Sequence, residues 1–172
     1  MAERHALQFD RDDSRFVYRA AGVILRDDEA CTEQGRSVLL QQFAGTDFWC
    51  LPGGRIEFGE SGLTAAEREL REEVEPTVQV ERLLWTAESF FRHGGLRYHE
   101  VGLYFLATLD PQGPAHNASE PWTAFEDDGE TQMTFVWHPV WSLGSLNVLP
   151  AFLREGLRAL PETPQYIVNR ED

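Results

Sequence analysis

Residues 53–76 constrain this chain more than any other segment, because they combine a helical repeat of apolar residues with a dense run of carboxylates. At about 100° per residue, apolar positions spaced three and four apart predict one buried stripe of an α-helix. The stripe comprises Leu63, Ala66, Leu70 and Val74. Either Ser61 or Thr64 caps the start of this helix, the latter in a capping box with Glu67, and Pro76 ends it.

A second face of the same helix carries Glu69, Glu72 and Glu73, at the i, i+3 and i+4 spacing that brings side chains within reach of one another. Like charges at this spacing cost about 0.2–0.5 kcal/mol per pair, and the segment has no lysine to offset them. The face is therefore either a solvated acidic surface or a site for hard cations, which take oxygen ligands. The preceding glycines, Gly53 and Gly54, offer accessible backbone carbonyls and favour the cation site.

Composition narrows the classes of function. The 172 residues, 42% hydrophobic and 12% aromatic, suit one globular domain, which we assign to residues 1–172. A net charge of −14 argues against non-specific nucleic-acid binding, which needs a basic surface. The charge is compatible with a phosphate-bearing substrate when divalent cations lie between the substrate and the carboxylates. Cys31 and Cys50 match no zinc-site spacing, and we expect ordinary thiols.

The sequence also carries an expectation about location. The first residues, MAERHALQFDRDDSRF, are too charged for a signal peptide. No apolar run approaches the roughly 18 residues that a membrane span needs. We therefore expect a cytoplasmic protein that does not contact a membrane.

The order of the predicted elements indicates the fold class. Strands are predicted at residues 16–25, 37–44, 77–91, 96–109 and 131–140. A short turn, an aromatic-led strand and a Pro-Gly-Gly break are predicted within residues 45–54, a long loop at 110–130 and a C-terminal helix at 149–161. This order lacks the regular βαβ alternation of a doubly wound parallel sheet. We predict an α+β fold, in which a mixed β-sheet lies between helices in an α/β/α sandwich.

The spacing of residues across the acidic segment resembles the Nudix box, G-x5-E-x7-R-E-U-x-E-E-x-G-U, in which U is a bulky aliphatic residue. The matching positions are Gly54, Glu60, Arg68, Glu69, Leu70, Glu72 and Glu73, so the box is residues 54–76. The late sequence FVWHPVWSL is similar to the family's strand that ends in tryptophan and proline before the last helix. The resemblance implies the Nudix fold of MutT-like hydrolases, with the box as a loop–helix–loop.

Two positions depart from the box. Glu75 stands where the family has glycine, and Pro76 where it has an aliphatic residue. A glycine after a helix commonly adopts the left-handed conformation that ends it, whereas a residue before proline is pushed toward an extended conformation. We therefore expect this helix to end differently while its glutamate face stays intact.

The resemblance implies a metal-dependent pyrophosphohydrolase that cleaves a nucleoside diphosphate linked to another moiety, with Mg²⁺ or Mn²⁺ as the cofactor. It also implies the metal ligands, which are Glu69, Glu72, Glu73 and the Gly54 carbonyl. Glu69 is in addition the candidate general base, and Arg68 orients a box glutamate through a bidentate contact. Glu60 supports the loop and does not bind the metal directly.

Nudix hydrolases often use a further carboxylate from outside the box, and Glu100 is the favoured candidate. It shares one face of a predicted strand with Tyr98, Gly102 and Tyr104, where a carboxylate is costly unless it has a partner. The alternatives are acidic residues of the long loop, namely Glu126, Asp127, Asp128 and Glu130.

Contacts to the substrate carry a weaker signal. Arg19 and Arg55 are the expected phosphate contacts, and Arg92 and Arg97 are further candidates. Several aromatic residues could stack on a base, although each type is more often found in a core: Phe48, Trp49, Trp85, Phe90, Phe91 and Trp122. No second motif selects one nucleotide among the family's substrates.

A non-catalytic nucleotide-binding or regulatory module on the same fold is the alternative function. Such modules usually lack one or more box glutamates, and all are present here, which favours the enzyme. In either case we expect a small-molecule nucleotide as the partner. Homodimers are common in the family, so a homodimer is a candidate oligomer, although the sequence alone does not decide the oligomeric state.

Overall fold

The computed structural model describes residues 5–27, 35–125 and 129–171. In these ranges the strands are β1 (Gln8–Arg11), β2 (Ser14–Asp27), β3 (Arg36–Phe43), β4 (Gly53–Arg55), β5 (Gln79–His93), β6 (Leu96–Thr108), β7 (Trp122–Phe125), β8 (Gln132–Pro139) and β9 (Gln165–Arg170). The helices are α1 (Gly62–Glu73), a 3-10 helix (Val140–Ser145) and α2 (Leu153–Gly156).

The strands form one mixed sheet in the order β7-β8-β3-β2-β6-β5-β9. β2 runs parallel to β6, and β5 runs parallel to β9, whereas the other neighbouring pairs are antiparallel. β1 and β4 also pair with β2, so this long strand organises the sheet. The predicted α+β fold with a mixed sheet is confirmed.

Both faces of the sheet are covered, because successive side chains of a strand point to opposite faces. In β3, Val38 and Leu40 contribute to one core, and Leu39 between them contributes to the other. Leu70 of α1 belongs to the same core as Leu39, whereas Leu143 of the 3-10 helix packs with Val38 and Leu40. The sheet therefore lies between α1 on one face and the short C-terminal helices on the other.

The structure of α1 distinguishes between Ser61 and Thr64 as the residue that caps its start. The Ser61 hydroxyl accepts a hydrogen bond from the Thr64 N–H at 3.1 Å, so Ser61 is the N-cap. Ala65, Ala66 and Leu70 are buried as the helix packs on the sheet. The prediction that Leu63 is buried is wrong, because the first turn meets the sheet on the side of its alanines and leaves Leu63 41% exposed.

The predicted C-terminal helix is much shorter than expected. Only Leu153–Gly156 is α-helical, and the chain ends in β9, a strand that the sequence analysis missed. The helix ends at Gly156. Because this residue has no side chain, the Trp85 ring packs closely against it, with Trp85 Cζ2 only 3.1 Å from where a Cβ would lie. Pro161 and Pro164 then prevent the helix from continuing. β1, β4 and β7 were also missed: β4 begins in the predicted Pro-Gly-Gly break, and β7 lies inside the predicted loop 110–130. The aromatic-led strand predicted before β4 is reduced to isolated bridges at Trp49 and Cys50.

Glu75 ends α1 in a way that the family's glycine could not. It does not adopt a positive φ, and its side chain is only 4% exposed. Its carboxylate accepts hydrogen bonds from the N–H groups of Asp110 at 3.1 Å and Ala115 at 3.3 Å, and from the Thr77 hydroxyl at 3.0 Å. A Cβ at Gly113 would lie 2.6 Å from the Glu75 carboxylate. The predicted difference at the helix end is thus realised as an anchor for residues 110–115.

No helix of the described residues has both the length and the apolar composition to cross a membrane.

We expect Glu75→Ala to lower the free energy of unfolding by about 2–3 kcal/mol, because buried N–H groups lose a charged acceptor. Urea denaturation followed by circular dichroism measures this change. Glu81→Ala is the matched control, since Glu81 is exposed on β5 and its side chain makes no hydrogen bond or ion pair to any described residue. Equal effects of the two substitutions would contradict the anchoring role.

Candidate active site

A cleft of about 690 Å³ lies between the glutamate face of α1, strands β2 and β4, and the start of β6. The predicted site residues that line it are Arg19, Gly54, Arg55, Glu69, Glu72, Glu73 and Glu100. Arg68 does not line the cleft and contacts Glu69 instead, and the further phosphate candidates Arg92 and Arg97 do not line it either. The structure thus brings together residues that are up to 81 positions apart, Arg19 and Glu100.

Strand pairing explains this convergence. β2 pairs with β4 so that Ala20 lies opposite Gly54, and with β6 so that Val17 lies opposite Glu100. Because side chains two residues apart share a face, Arg19 and Glu100 project from the same side of the sheet. Glu100 is only 8% exposed. Burial raises its pKa, and the positive charge of Arg19 opposes that rise.

The glycines of β4 let two glutamates of α1 approach the backbone. The Gly53 N–H donates a hydrogen bond to Glu73 Oε2 at 3.1 Å. A Cβ at Gly54 would lie 2.5 Å from both carboxylate oxygens of Glu69, so a side chain there would displace that carboxylate. Gly53 has a φ of +136°, which also favours glycine. The Gly-Gly pair therefore fixes how closely α1 lies against the sheet.

Arg68 joins the loop before α1 to the helix. Its Nε and Nη2 donate to the two carboxylate oxygens of Glu60 at 3.0 and 2.9 Å, and its Nη1 donates to Glu69 Oε1 at 2.7 Å. Glu60 in turn accepts from the Glu57 N–H at 3.1 Å. The bidentate partner of Arg68 is therefore Glu60, and Glu69 receives a single contact. Burial raises the pKa of Glu69, and the contact with Arg68 opposes that rise.

The two arginines expected to contact phosphate differ in surroundings. Arg19 Nη2 donates to the carbonyl of Gly53 at 3.0 Å and, more weakly, to that of Leu51 at 3.4 Å. Its buried Nε has no hydrogen-bond partner among the described residues. Arg55 lies exposed at the rim and donates to Gln8 Oε1 at 3.3 Å. Arg19 thus holds the glycine-rich turn, whereas Arg55 faces solvent.

The cleft has the donor types that a hard cation prefers. Four carboxylates and the Gly54 backbone line it, and oxygen ligands suit Mg²⁺ and Mn²⁺. Within the described ranges, no three acidic, histidine or cysteine side chains already lie close enough together to hold one ion. Two of the carboxylates are engaged by Gly53 and Arg68 instead. The residues fit a metal by donor type and location, although the carboxylates do not converge on one point.

Of the alternative candidates for a carboxylate outside the box, only Glu130 lies within the described residues. Glu126, Asp127 and Asp128 lie outside the described residues. Glu130 is exposed and does not line the cleft. Cys31 also lies outside the described residues, whereas Cys50 is a buried free thiol whose pKa is raised by burial to about 11.

A side pocket of about 370 Å³ continues from the cleft and shares Arg19 and Glu100 with it. Phe48 and Phe91 contribute apolar surface, and Asn169 comes from the end of β9. Sequence reasoning missed Asn169, because nothing placed the last strand beside β5. Two aromatic candidates belong elsewhere: Trp85 is buried in the core, and Trp122 stacks on Phe135 with 5.4 Å between ring centroids.

Comparison with known proteins agrees with this architecture. The family model described as the NUDIX domain matches residues 17–160. The mutator MutT protein from Bacillus halodurans has a similar structure, with a TM-score of 0.58 and 18% identity over 90% of this chain and 89% of that chain. An Ap4A hydrolase from C. elegans gives 0.53 and 22% identity, over 83% of this chain and 94% of that chain. A UDP-X diphosphatase gives 0.51 and 19% identity, over 92% of this chain and 69% of that chain.

At these identities the solved structures show the shared fold alone. The match to the family model shows more than the fold, because it spans well over half of the 172 residues and includes the whole box. The resemblance to Nudix hydrolases drawn from the box is confirmed, and the chain belongs to the NUDIX domain family.

Proposed function

We propose that this Nudix hydrolase is a metal-dependent pyrophosphohydrolase that cleaves a nucleoside diphosphate linked to another moiety. One observation carries the proposal: Glu69, Glu72 and Glu73 of the box line a single cleft together with Gly54 and the buried Glu100. A diphosphate is strongly anionic, so a cleft with four carboxylates can accept it only when cations lie between them. The acidic lining therefore supports a metal-bound phosphate substrate.

Glu69, Glu72, Glu73, Glu100 and the Gly54 carbonyl are the residues that would hold Mg²⁺ or Mn²⁺. Bound cations of this kind supply charge neutralisation at the phosphates and lower the pKa of a bound water. The Gly53 N–H holds Glu73, and Arg68 holds Glu69, which limits the freedom of both carboxylates. Ordering them in advance reduces the entropy lost on binding.

The chain's own groups account for the remaining roles. Glu69 is the proposed general base, because its carboxylate lines the cleft, where it could accept a proton from a water beside the phosphates. Arg68 positions Glu69 through the 2.7 Å contact. Arg55 at the rim and the unpartnered Nε of Arg19 are the proposed phosphate contacts. The side pocket, with its aromatic and amide groups, is the proposed place for the nucleoside.

We expect Glu72→Gln and Glu73→Gln each to lower kcat by at least roughly 100-fold, because an amide oxygen is a weaker cation ligand than a carboxylate. Release of phosphate and pyrophosphate from a panel of nucleotides with Mg²⁺ measures the effect. Glu67→Gln is the control, since Glu67 lies on the same helix, pairs with Arg71 at 3.7 Å and does not line the cleft. Variants with wild-type turnover would refute the assigned roles.

We expect Gly54→Ala to lower kcat by roughly 10-fold or more while the protein still folds, because the added Cβ displaces the Glu69 carboxylate. Steady-state kinetics together with a thermal melt separates the two effects. Gly144→Ala is the matched control, because a Cβ there would meet only Arg158, at 3.7 Å. The interpretation fails if both alanine variants turn over substrate equally well.

The non-catalytic module is the second candidate function. It gains support if a nucleotide binds tightly to the wild-type protein in Mg²⁺ without being hydrolysed. Glu69, Glu72 and Glu73 all line the cleft, and Glu60 is also present in the box, which favours the enzyme. The homodimer, the cytoplasmic location and the single domain over residues 1–172 stay predictions, and light scattering after size-exclusion chromatography measures the first.

A further inference from the structure

We propose that the outer edge of β9 pairs with the same strand of a second copy of this chain, so that the two sheets become one. β9 lies at one end of the strand order, and among the described residues it pairs with β5 alone. An edge strand presents a row of unpaired backbone N–H and C=O groups, which can serve as a template for pairing with another chain. The outer edge of β9 is therefore a candidate interaction surface.

Backbone hydrogen bonds show which residues of β9 face outward. The N–H of Glu171, directly after the strand, donates to the carbonyl of Phe90 at 2.9 Å. Alternate residues of a parallel strand bond to the same neighbour, so the odd-numbered residues of β9 direct their backbone groups at β5. The even-numbered residues direct theirs outward: Tyr166, Val168 and Arg170. None of these three makes a backbone hydrogen bond to a residue of the described ranges outside the β5–β9 pair.

β9 lacks the features that usually keep an edge strand from pairing, which are internal charges, prolines and β-bulges. Residues 165–169, QYIVN, carry neither a charge nor a proline, and the register of β9 with β5 has no shift. Tyr166 and Val168 are 62% and 51% exposed, although both are large apolar side chains of the kind favoured in sheets. The opposite edge strand, β7, has only four residues. The edge of β9 thus favours another strand as its partner.

Two-fold symmetry makes a second copy the strand that this edge fits. Under this symmetry β9 meets itself antiparallel, and every contact occurs twice. A pair centred on Ile167 places Tyr166 of each chain opposite Val168 of the other, where aromatic and β-branched side chains stabilise each other. A shift by two residues would instead place Val168 opposite Pro164, which has no N–H, or Tyr166 opposite the charged Arg170.

The backbone and the charges of β9 agree with this pairing. The outward groups of Tyr166 and Val168 form two hydrogen-bonded pairs across the symmetry axis, and Ile167 forms the non-hydrogen-bonded pair between them. No residue of β9 is acidic. Two copies of a chain with net charge −14 therefore meet at a strand that adds no carboxylate to the contact.

The proposed surface is separate from the part of the chain that the family model describes, because β9 lies beyond the matched residues 17–160. The strand is nevertheless connected to the candidate site, since Asn169 lines the side pocket. Pairing with a second copy supports this wall of the pocket from outside. The inference does not depend on the proposed hydrolase function.

Mass measurements on edge variants test the pairing. We expect light scattering after size-exclusion chromatography to give the wild-type protein about twice the 19.6 kDa of one chain. Val168→Pro should give a monomer, because it removes an outward N–H at a position where an edge strand tolerates proline. Tyr166→Lys/Val168→Lys should also give a monomer, because it places like charges opposite one another twice.

Trp141→Lys is the control for these variants, since Trp141 is an aromatic residue of the 3-10 helix that is 58% exposed. It should retain the wild-type mass. A wild-type mass other than that of a dimer would overturn the proposal, and so would a dimer that either edge variant retains. Thermal melts verify that each variant is folded.

A cysteine at the centre of the pair tests its register. The Cα atoms of a non-hydrogen-bonded antiparallel pair lie about 4.5 Å apart, which is within the range of a disulfide. We therefore expect Ile167→Cys to form a covalent dimer under mild oxidation, above the wild-type level, on non-reducing electrophoresis. Gln165→Cys is the matched control, because its two copies would lie four residues apart along the strands, roughly 13 Å.

Covalent dimers from both cysteine variants, or from neither, contradict the pairing centred on Ile167. None of these measurements requires turnover. A protein that hydrolyses no nucleotide but dimerises through β9 defeats the proposed function alone, and an active monomer defeats this inference alone.

Discussion

The close contact between α1 and the glycines of β4 is the constraint on which the site depends. Glu69 can lie against the backbone only because Gly54 has no Cβ, and Glu73 is held by the Gly53 N–H. On the far side of the helix, Leu70 fills the space beside Gly22, where a Cβ would lie 2.5 Å from Leu70 Cδ1. Glycines at both contacts thus fix the depth and rotation of α1, and with them the direction of the glutamate face.

Arg68 extends this control into the loop before the helix. It satisfies both oxygens of Glu60 and still reaches Glu69, so the loop and the helix cannot shift independently without loss of charged hydrogen bonds. Hydrogen bonds with charged partners contribute about 1.5–3 kcal/mol each. The same group of residues therefore stabilises the fold locally and orients a carboxylate of the candidate active site.

Much of the site could be predicted because its signals are local. Three glutamates within one helix share a face whatever the rest of the chain does, and strand alternation alone predicted that Glu100 shares a face with Tyr98 and Tyr104. The extent of the C-terminal helix and the position of β9 could not be predicted, because they depend on how Gly156 and the last strand pack against β5. The prediction that Leu63 is buried was wrong for a related reason. Periodicity predicts an apolar stripe along the helix, but which residues of that stripe are buried depends on where the helix packs on the sheet.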